Sequence, residues 1–554
     1  MKKRIRLIFT MFILAILVCG CTGAQTNKIE SGIVEDSNVT APGTLPIVKE
    51  KIVLDCAIEY SETVEDYETN DYTKWLEEQT GIGLDFEVMK NIWEMIELKI
   101  NAGEKIPGVI MSGAFNEIAQ VKNGINGNGI LLELGDYMDN YSYWLNDLYT
   151  KSNVPNVEKQ LLAPDGNRYF MPRLAEQEGN SYGLKTWINK TWLEKLGMEM
   201  PKTTEEFREV MIAFTTLDPN GNGKKDELGM LGNIDGWCAQ PHRFLINSFI
   251  SECNPDITKY ANVGEDGKLY INFTKDEYRD ALRYISGLVR EGLIDDKLFS
   301  RTGEEMIEIA SSQDNVVGCF TSGNPDIVFG NNRQRMVEYE ALPPLEGPDG
   351  INYAYVTPHI VAPGAFITKY CKYPLAAFRL LDFMMSKEAT LRSRYGVEGR
   401  DWEYASDDDI CIFAGIGKKA TIKSNFQFGF LQNATWENRN PEFRYADIAN
   451  GMAWNGDPLD GEKFKADALA AYYKKEPEKT VSNYYNTVDE YEELNRLEAQ
   501  IIPYAEKEIK EFILCNKDIE NDWDAFMKKL DGLGIERYLE LLQLGYDRYE
   551  NSIW

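Results

Sequence analysis

Ile52-Val-Leu-Asp-Cys-Ala-Ile58 and Gly81-Ile-Gly-Leu-Asp-Phe-Glu-Val88 are the stretches from which the fold class is read. The first is a short, nearly unbroken apolar run, the pattern of a strand buried inside a sheet. A helix is expected around Tyr72–Gln79 before the second strand. Another, Trp93–Ala102, leads into the short strand Gly108-Val-Ile-Met111. Strands alternating with helices predict an α/β chain with a mostly parallel sheet. About 500 residues of such pattern exceed what a single core serves, so two lobes are expected. Thr203-Thr-Glu-Glu206 reads as a capping box, followed by Phe207, Val210, Met211 and Phe214 on one helix face. Thr274-Lys-Asp-Glu277 carries the same signature ahead of inward-facing Ala281, Leu282, Ile285 and Leu288, and the chain from Asn495 onward is helical by period. No internal repeat is visible.

The capped helix runs into Asp218-Pro-Asn-Gly-Asn-Gly-Lys-Lys-Asp-Glu227. With Asp218 as position 1, Asn220 and Asn222 fall at 3 and 5, Gly223 at the sharp turn of position 6, the Lys224 carbonyl at 7 and Asp226 at 9 of an EF-hand loop. A hard cation such as Ca²⁺ takes six to eight oxygens, and a loop curled this way presents them from one segment. Position 12, where an EF-hand has a bidentate Glu, is Gly229; Glu227 at position 10 is the nearest substitute. The competing reading is a polar Asp-Pro-Asn-Gly surface turn. A lone calcium loop of this kind is expected to be structural.

Lys2, Lys3, Arg4 and Arg6 precede a largely apolar run from Leu7 to Val18. That run is shorter than the roughly 20 residues of a permanent span and suits a signal-peptide core. Val18-Cys19-Gly20-Cys21 resembles a bacterial lipobox, which makes 1–20 a lipoprotein signal peptide and Cys21 the acylated residue. The segment 21–46, rich in Ser, Thr, Asn, Gly and Pro, reads as a flexible tether. Of nine cysteines, processing removes Cys19 and lipidation uses Cys21, so an odd number remains and at least one is a free thiol. The formal charge of −30 argues against nucleic acid, whose affinity comes chiefly from Lys and Arg on phosphates. It also favours neutral ligands over polyanions, unless a local arginine pocket overrules the overall field.

Asn189-Lys-Thr-Trp192-Leu-Glu-Lys-Leu-Gly197-Met-Glu-Met-Pro201-Lys-Thr203-Thr-Glu-Glu-Phe207, together with the loop after it, resembles the large lipoprotein-type extracellular solute-binding proteins (family 1) of bacterial carbohydrate ABC importers. Asp165-Gly-Asn-Arg-Tyr169 before Pro172, Gly396-Val-Glu-Gly399, Trp523-Asp-Ala-Phe526 and Gly534-Ile-Glu-Arg-Tyr538 agree in order, so the likeness spans roughly Ile47 to Tyr549. It implies a two-lobed periplasmic-binding-protein-like fold of type II with an interlobe ligand cleft and a helical C-terminal region. By that analogy the chain divides into 47–175 and 358–402 for lobe 1 and 176–357 and 403–554 for lobe 2, crossing near Met171–Tyr182, Tyr355–Gly364 and Gly396–Tyr404. The resemblance further implies that Glu227 joins the calcium ligands. It also implies an oligosaccharide ligand, ABC permease subunits as partners, a monomer, and attachment to the outer face of the cell membrane through the lipid.

Sugars are held by stacking on aromatic rings and by hydrogen bonds to their hydroxyls. With 11 Trp and 30 Tyr the supply is ample. Trp187, Trp237 and Trp402 are the first choices for stacking, with Tyr182 and Trp436 next; Tyr404 and Trp454 share the polar, loop-like context. Arg400, Asp401 and Asn189 are expected on hydroxyls, with Glu398 and Arg243 behind them, while Trp192 is expected to pack inside its helix. An enzyme would need a carboxylate pair or a nucleophile–base set. His242 and His359 stand in no metal or triad pattern, His359 reads as structural or hinge-lining, and no catalytic residue is assigned. A glycosidase-type carboxylate pair and a ligand-sensing lipoprotein remain the alternatives. Cys21→Ser is expected to release the protein to the medium or leave it as uncleaved precursor; processing and membrane retention like wild type, seen on immunoblots of cell fractions, would refute the lipobox.

Overall fold

The computed structural model describes residues 36–112, 123–124, 127–330, 332–426, 430–481 and 483–551. The signal peptide expected over 1–20, and Cys21, lie outside the described residues. β1 (Ile52–Glu59) is the strand read from its apolar run, and it pairs in parallel with β2 (Ile82–Met89) and β3 (Val109–Met111). Helices Asp71–Thr80 and Ile92–Ala102 supply the crossovers that parallel neighbours need. The chain then forms β4 (Phe170–Ala175), β5 (Thr186–Asn189), β6 (Leu228–Leu231), a hairpin of β7 (Ala261–Val263) and β8 (Leu269–Ile271), β9 (Val317–Thr321), β10 (Tyr339–Leu342) and β11 (Ala362–Ile367). A second hairpin, β12 (Trp402–Tyr404) with β13 (Ile422–Ser424), precedes β14 (Glu442–Arg444).

Two sheets organise the lobes. The first has the order β14-β4-β11-β3-β1-β2 and the second β10-β5-β9-β6. The first is mostly parallel, as expected, with β11 alone reversed, and the second is mixed, with β6–β9 its one parallel pair. β11 runs antiparallel to β3 and β4, and β5 antiparallel to β9 and β10. The reason is the route of the chain: β4 leaves the first sheet toward the other lobe and β11 returns from it, so the two must run in opposite senses. β14 leaves as β4 does and is parallel to it. Its presence in the first sheet means that part of 403–554, expected in lobe 2, contributes a strand to lobe 1.

Period-two alternation sends Ile188 of β5 into the larger core of lobe 2, with Phe207, Met211 and Leu282, and Trp187 to the opposite face, with Phe320, Phe329 and Tyr339. The Thr203–Glu206 capping box forms as expected. The one expected at Thr274 does not, because Thr274 closes a 3₁₀ turn and donates to the Ile271 carbonyl at 2.7 Å; the helix begins at Asp276. Ala281, Leu282, Ile285 and Leu288 are nonetheless buried, since packing sets that face whatever the cap. The end of the expected tether is folded: Val39 bridges to Val48, and an Arg379 N–H donates to the Thr40 carbonyl at 3.0 Å. The cysteines from Cys56 to Cys515 are free thiols, most of them buried. Among the described residues no helix is long and apolar enough to cross a membrane.

Lys185 closes the first crossing. Fully buried, it donates its ammonium to the carbonyls of Tyr182 and Gly179. Burial, then the like charge of Lys465, pushes its pKa down to about 7. Between that value and the ordinary lysine range the unfolded chain holds a proton that the folded chain has released, so stability rises with pH there. The stability difference between wild type and Lys185→Met, followed by denaturant melts, is therefore expected to rise by up to about 1.4 kcal/mol per pH unit above pH 7. A flat difference would refute the buried-amine reading.

Candidate functional site

The carboxyl ends of β4 and β14 and the amino end of β11 meet at one edge of the first sheet, and a cavity of about 530 Å³ opens there. Ligands of open α/β sheets gather at this edge because strand ends and loops leave polar groups facing a crevice. Asp256 and Ile257, from the short helix Pro255–Thr258 of lobe 2, form the far wall. Two crossing segments run between the walls and are tied together: the Thr357 amide donates to the Ser181 carbonyl at 2.8 Å, and His359 Nε2 lies 3.0 Å from Ser181 Oγ. His359 thus sits where the two crossing segments meet.

Three arginines face the cavity: Arg173 from β4, Arg394 from the last turn of helix Lys387–Tyr395, and Arg444 from β14. All reach Asn438. Arg173 donates to its backbone carbonyl at 3.0 Å, and Arg394 and Arg444 to its side-chain oxygen at 3.5 and 3.1 Å. Arg444 also pairs with Glu442 at 2.9 Å, which keeps its charge on although both are buried. Burial, then the nearby Arg444, pushes Arg394 down to about 10; burial also lowers Arg173. Sequence reasoning missed all three. Only Arg173, beside Pro172 in an expected crossing, had a local signal.

Most of the expected sugar contacts belong to the interior. Trp187 and Trp436 are 2% and 0% exposed, and their indole N–H groups are used by the Ser322 carbonyl and Thr73 Oγ1. Trp402 is buried with its N–H on the Gly396 carbonyl, so it offers no free face either. Tyr182 is buried and donates to Glu476, and Asn189 is the buried N-cap of helix Lys190–Leu196, accepting from the Trp192 amide. Arg400 is exposed but forked onto Asp401 and Asp71 at 2.6–2.9 Å. Asp401 in turn holds the Val397 amide. Trp237 is different. At 42% exposed it rests on Gly323, where a Cβ would come within 2.2 Å of the ring, and on Gly183, just past the first crossing. Only glycine leaves room for that indole to lie flat on the backbone.

A second cavity of about 680 Å³ shares Asp256 with the first. Arg243, expected on hydroxyls, lies there in a 2.7 Å ion pair with buried Glu252, and burial pushes neighbouring His242 down to about 3.

The loop after helix Thr204–Thr216 curls as its spacing required. Gly221 and Gly223 take positive φ, and Asp218 accepts from the amides of Gly221, Asn222 and Gly223. The amides of Asn220 and Asn222 converge on Asp226 at 3.1–3.2 Å. Burial, followed by the Asp218 and Asp226 carboxylates, raises Glu227, whose Oε1 is buried without a partner. Crowded carboxyl groups with an orphaned oxygen fit a cation. Asp314, remote in sequence, joins by accepting from Asn222 and Lys224 at 3.2 Å. No cluster of three His, Cys, Asp or Glu with metal-holding geometry occurs among the described residues; this set depends on two asparagines and the Lys224 carbonyl.

No family model matches the chain. It is 27% identical over 489 residues, 86% of each chain, to the fructooligosaccharide ABC transporter substrate-binding protein FusA of Streptococcus pneumoniae serotype 4. The crystal structure of S. pneumoniae FusA in complex with kestose superposes with a TM-score of 0.67 at 25% identity, covering 90% of this chain and 99% of that one. An EF-hand mutant of the same protein has also been solved, at 24% identity, the same coverage and the same TM-score. An HMO-binding, ABC-transporter-associated solute-binding protein from Bifidobacterium longum infantis shares the fold at a TM-score of 0.74 and 20% identity over 91% of this chain and all of that one. With its two sheets, its cleft at their strand ends and these likenesses along nine-tenths of its length, the chain has the two-lobed fold of the solute-binding proteins it resembles.

Proposed function

We propose that this protein captures an oligosaccharide between its lobes and delivers it to the permease of an ABC importer, held at the outer face of the cell membrane by lipid on Cys21. The observation that carries the reading is the polar cavity bounded by both lobes and bridged by tied crossing segments. A ligand there touches residues from 173 to 444 and favours closure of one lobe on the other. The FusA likeness supports a sugar as the ligand. Trp237, outside the cavity lining, is our choice for a stacking platform: one face is seated on Gly323 and the ring is open to solvent. The relatives are binding proteins, and Glu442, the cavity carboxylate of lobe 1, is committed to Arg444 rather than placed as half of an acid–base pair. Binding without turnover follows.

Trp237→Ala is expected to lose about 1–3 kcal/mol of affinity, roughly tenfold to a hundredfold, in calorimetry against an oligosaccharide panel. Gly323→Ala should do the same by displacing the ring. Unchanged affinity in both variants would remove Trp237 from the site. Chromatography of the recovered sugar checks the rest, since shortened chains would mean an enzyme.

The loop of Asp218, Asn220, Asn222, the Lys224 carbonyl, Asp226 and Glu227 is proposed to hold one structural Ca²⁺, supported by the crowding of its carboxyl groups. An ion bound only by the folded state stabilises it by mass action. EDTA is therefore expected to lower the melting temperature, and calcium to restore it. Indifference to chelation, with no metal by elemental analysis, would refute the site.

A further inference from the structure

The charge of the cavity opposes that of the body. Against a formal −30 for the chain, the lobe 1 wall presents Arg173, Arg394 and Arg444 within one space, with Glu442 as the carboxylate set among them. Each of the three guanidinium groups donates to Asn438, whose oxygens are neutral. Arg173 and Arg394 are half-buried on the cavity side, and Arg444 is buried with its Nε unpartnered. Like charges gathered out of water are costly unless an anion joins them. Neutral hydroxyls accept hydrogen bonds from arginine but return no charge. A carboxylate does both, since its two oxygens match the planar fork of a guanidinium and the bonds are charge-assisted.

We propose that the cleft selects a carboxylated sugar, an oligosaccharide carrying uronic acid, whose carboxylate sits among Arg173, Arg394 and Arg444. This rests on the oligosaccharide reading above and makes these arginines the local pocket that overrules the net-charge preference for neutral ligands. The downward pressure on Arg394 agrees with a group that gains when an anion arrives. Asp256 on the lobe 2 wall leaves the anionic end of the ligand to lobe 1, and places the neutral part of the chain toward lobe 2. The ligand is thereby oriented as well as held.

The experiment is calorimetry of the full mature protein with trimers of glucuronic, galacturonic and mannuronic acid and with the same trimers after reduction of their carboxyl groups. At least one acidic trimer is expected to bind roughly tenfold or more tightly than its reduced form. Arg394→Gln should abolish that difference without lowering the melting temperature, and Arg394→Lys should restore part of it. Equal affinity for an acidic trimer and its reduced form, or binding of reduced and other neutral oligosaccharides alone, overturns the acidic selectivity and leaves the oligosaccharide reading standing. Binding of neither class, with fructooligosaccharides included in the panel, overturns that reading and the selectivity together. An Arg394→Gln variant that keeps full preference for the acidic trimer overturns the assignment to these arginines. The comparison of acidic and reduced trimers on the wild type decides the matter even if the variant does not fold.

Discussion

β11 lies between β4 and β3 in the first sheet, yet the chain reaches it from the second lobe. That placement constrains everything else. A strand interior to one sheet and delivered from the other lobe cannot be pulled away without breaking both ladders, so the crossing segments are anchored at each end. Between the anchors their backbone has no sheet to pair with, and buried N–H and C=O groups must find other partners. Side chains supply them. Asn450 donates to the Glu176 carbonyl at 2.6 Å, Gln160 accepts from the Val361 amide at 2.8 Å, and Lys185 closes the turn ahead of β5. Polar residues are thus concentrated at the crossings for structural reasons, and a cleft at the same place is lined with donors and acceptors. The proposed binding surface is a by-product of how the lobes are joined.

The elements built from local pattern were legible in the sequence. β1, β2, β3, their connecting helices and the Thr203 capping box all follow from apolar period and cap chemistry. The reversed sense of β11 was not legible, because it depends on which lobe the chain has come from. Nor was the return of β14 to the first sheet, a three-residue strand with no apolar run to announce it. The aromatics failed for a related reason. Trp187 and Trp436 stand in polar sequence surroundings, but alternation along β5 and the packing of Tyr72 and Phe86 edge-on to Trp436 turn those rings inward. Polarity of the neighbours reports on the neighbours' faces, not on the ring. Trp237 escapes because Gly323 and Gly183 carry it on the surface.

The calcium-type loop shows how a departure from a pattern can have a packing cause. Position 12 is Gly229, already the second residue of β6, and a Cβ there would come within 2.0 Å of the Leu293 carbonyl oxygen. β6 has to lie against that segment, as the bridge from Met230 to Ile294 requires. A glutamate at position 12 is therefore sterically forbidden by the strand that follows the loop, and in the proposed site other oxygens take its place. Glu227 stands two residues earlier, and Asp314 steadies the loop by accepting from Asn222 and Lys224. Neither could be assigned from spacing alone, because one is out of register and the other is 87 residues beyond the end of the loop.

Body and cleft act on a charged ligand over different ranges. Exposed charges are screened beyond a Debye length of about 8 Å at physiological ionic strength, so the acidic surface shapes the approach and not the bound state. It slows the encounter with any anion, and more so at low salt. Inside the cleft the arginines are removed from that screening, and their interactions with a carboxylate are short, oriented and only weakly salt-dependent. A carboxylated sugar would then arrive slowly and leave slowly, its affinity residing in the dissociation rate. A neutral sugar would meet neither the barrier nor the anchor. The proposed cleft thus sets one place that retains anions within a surface that turns them away in general, which is how selectivity arises from repulsion as well as attraction.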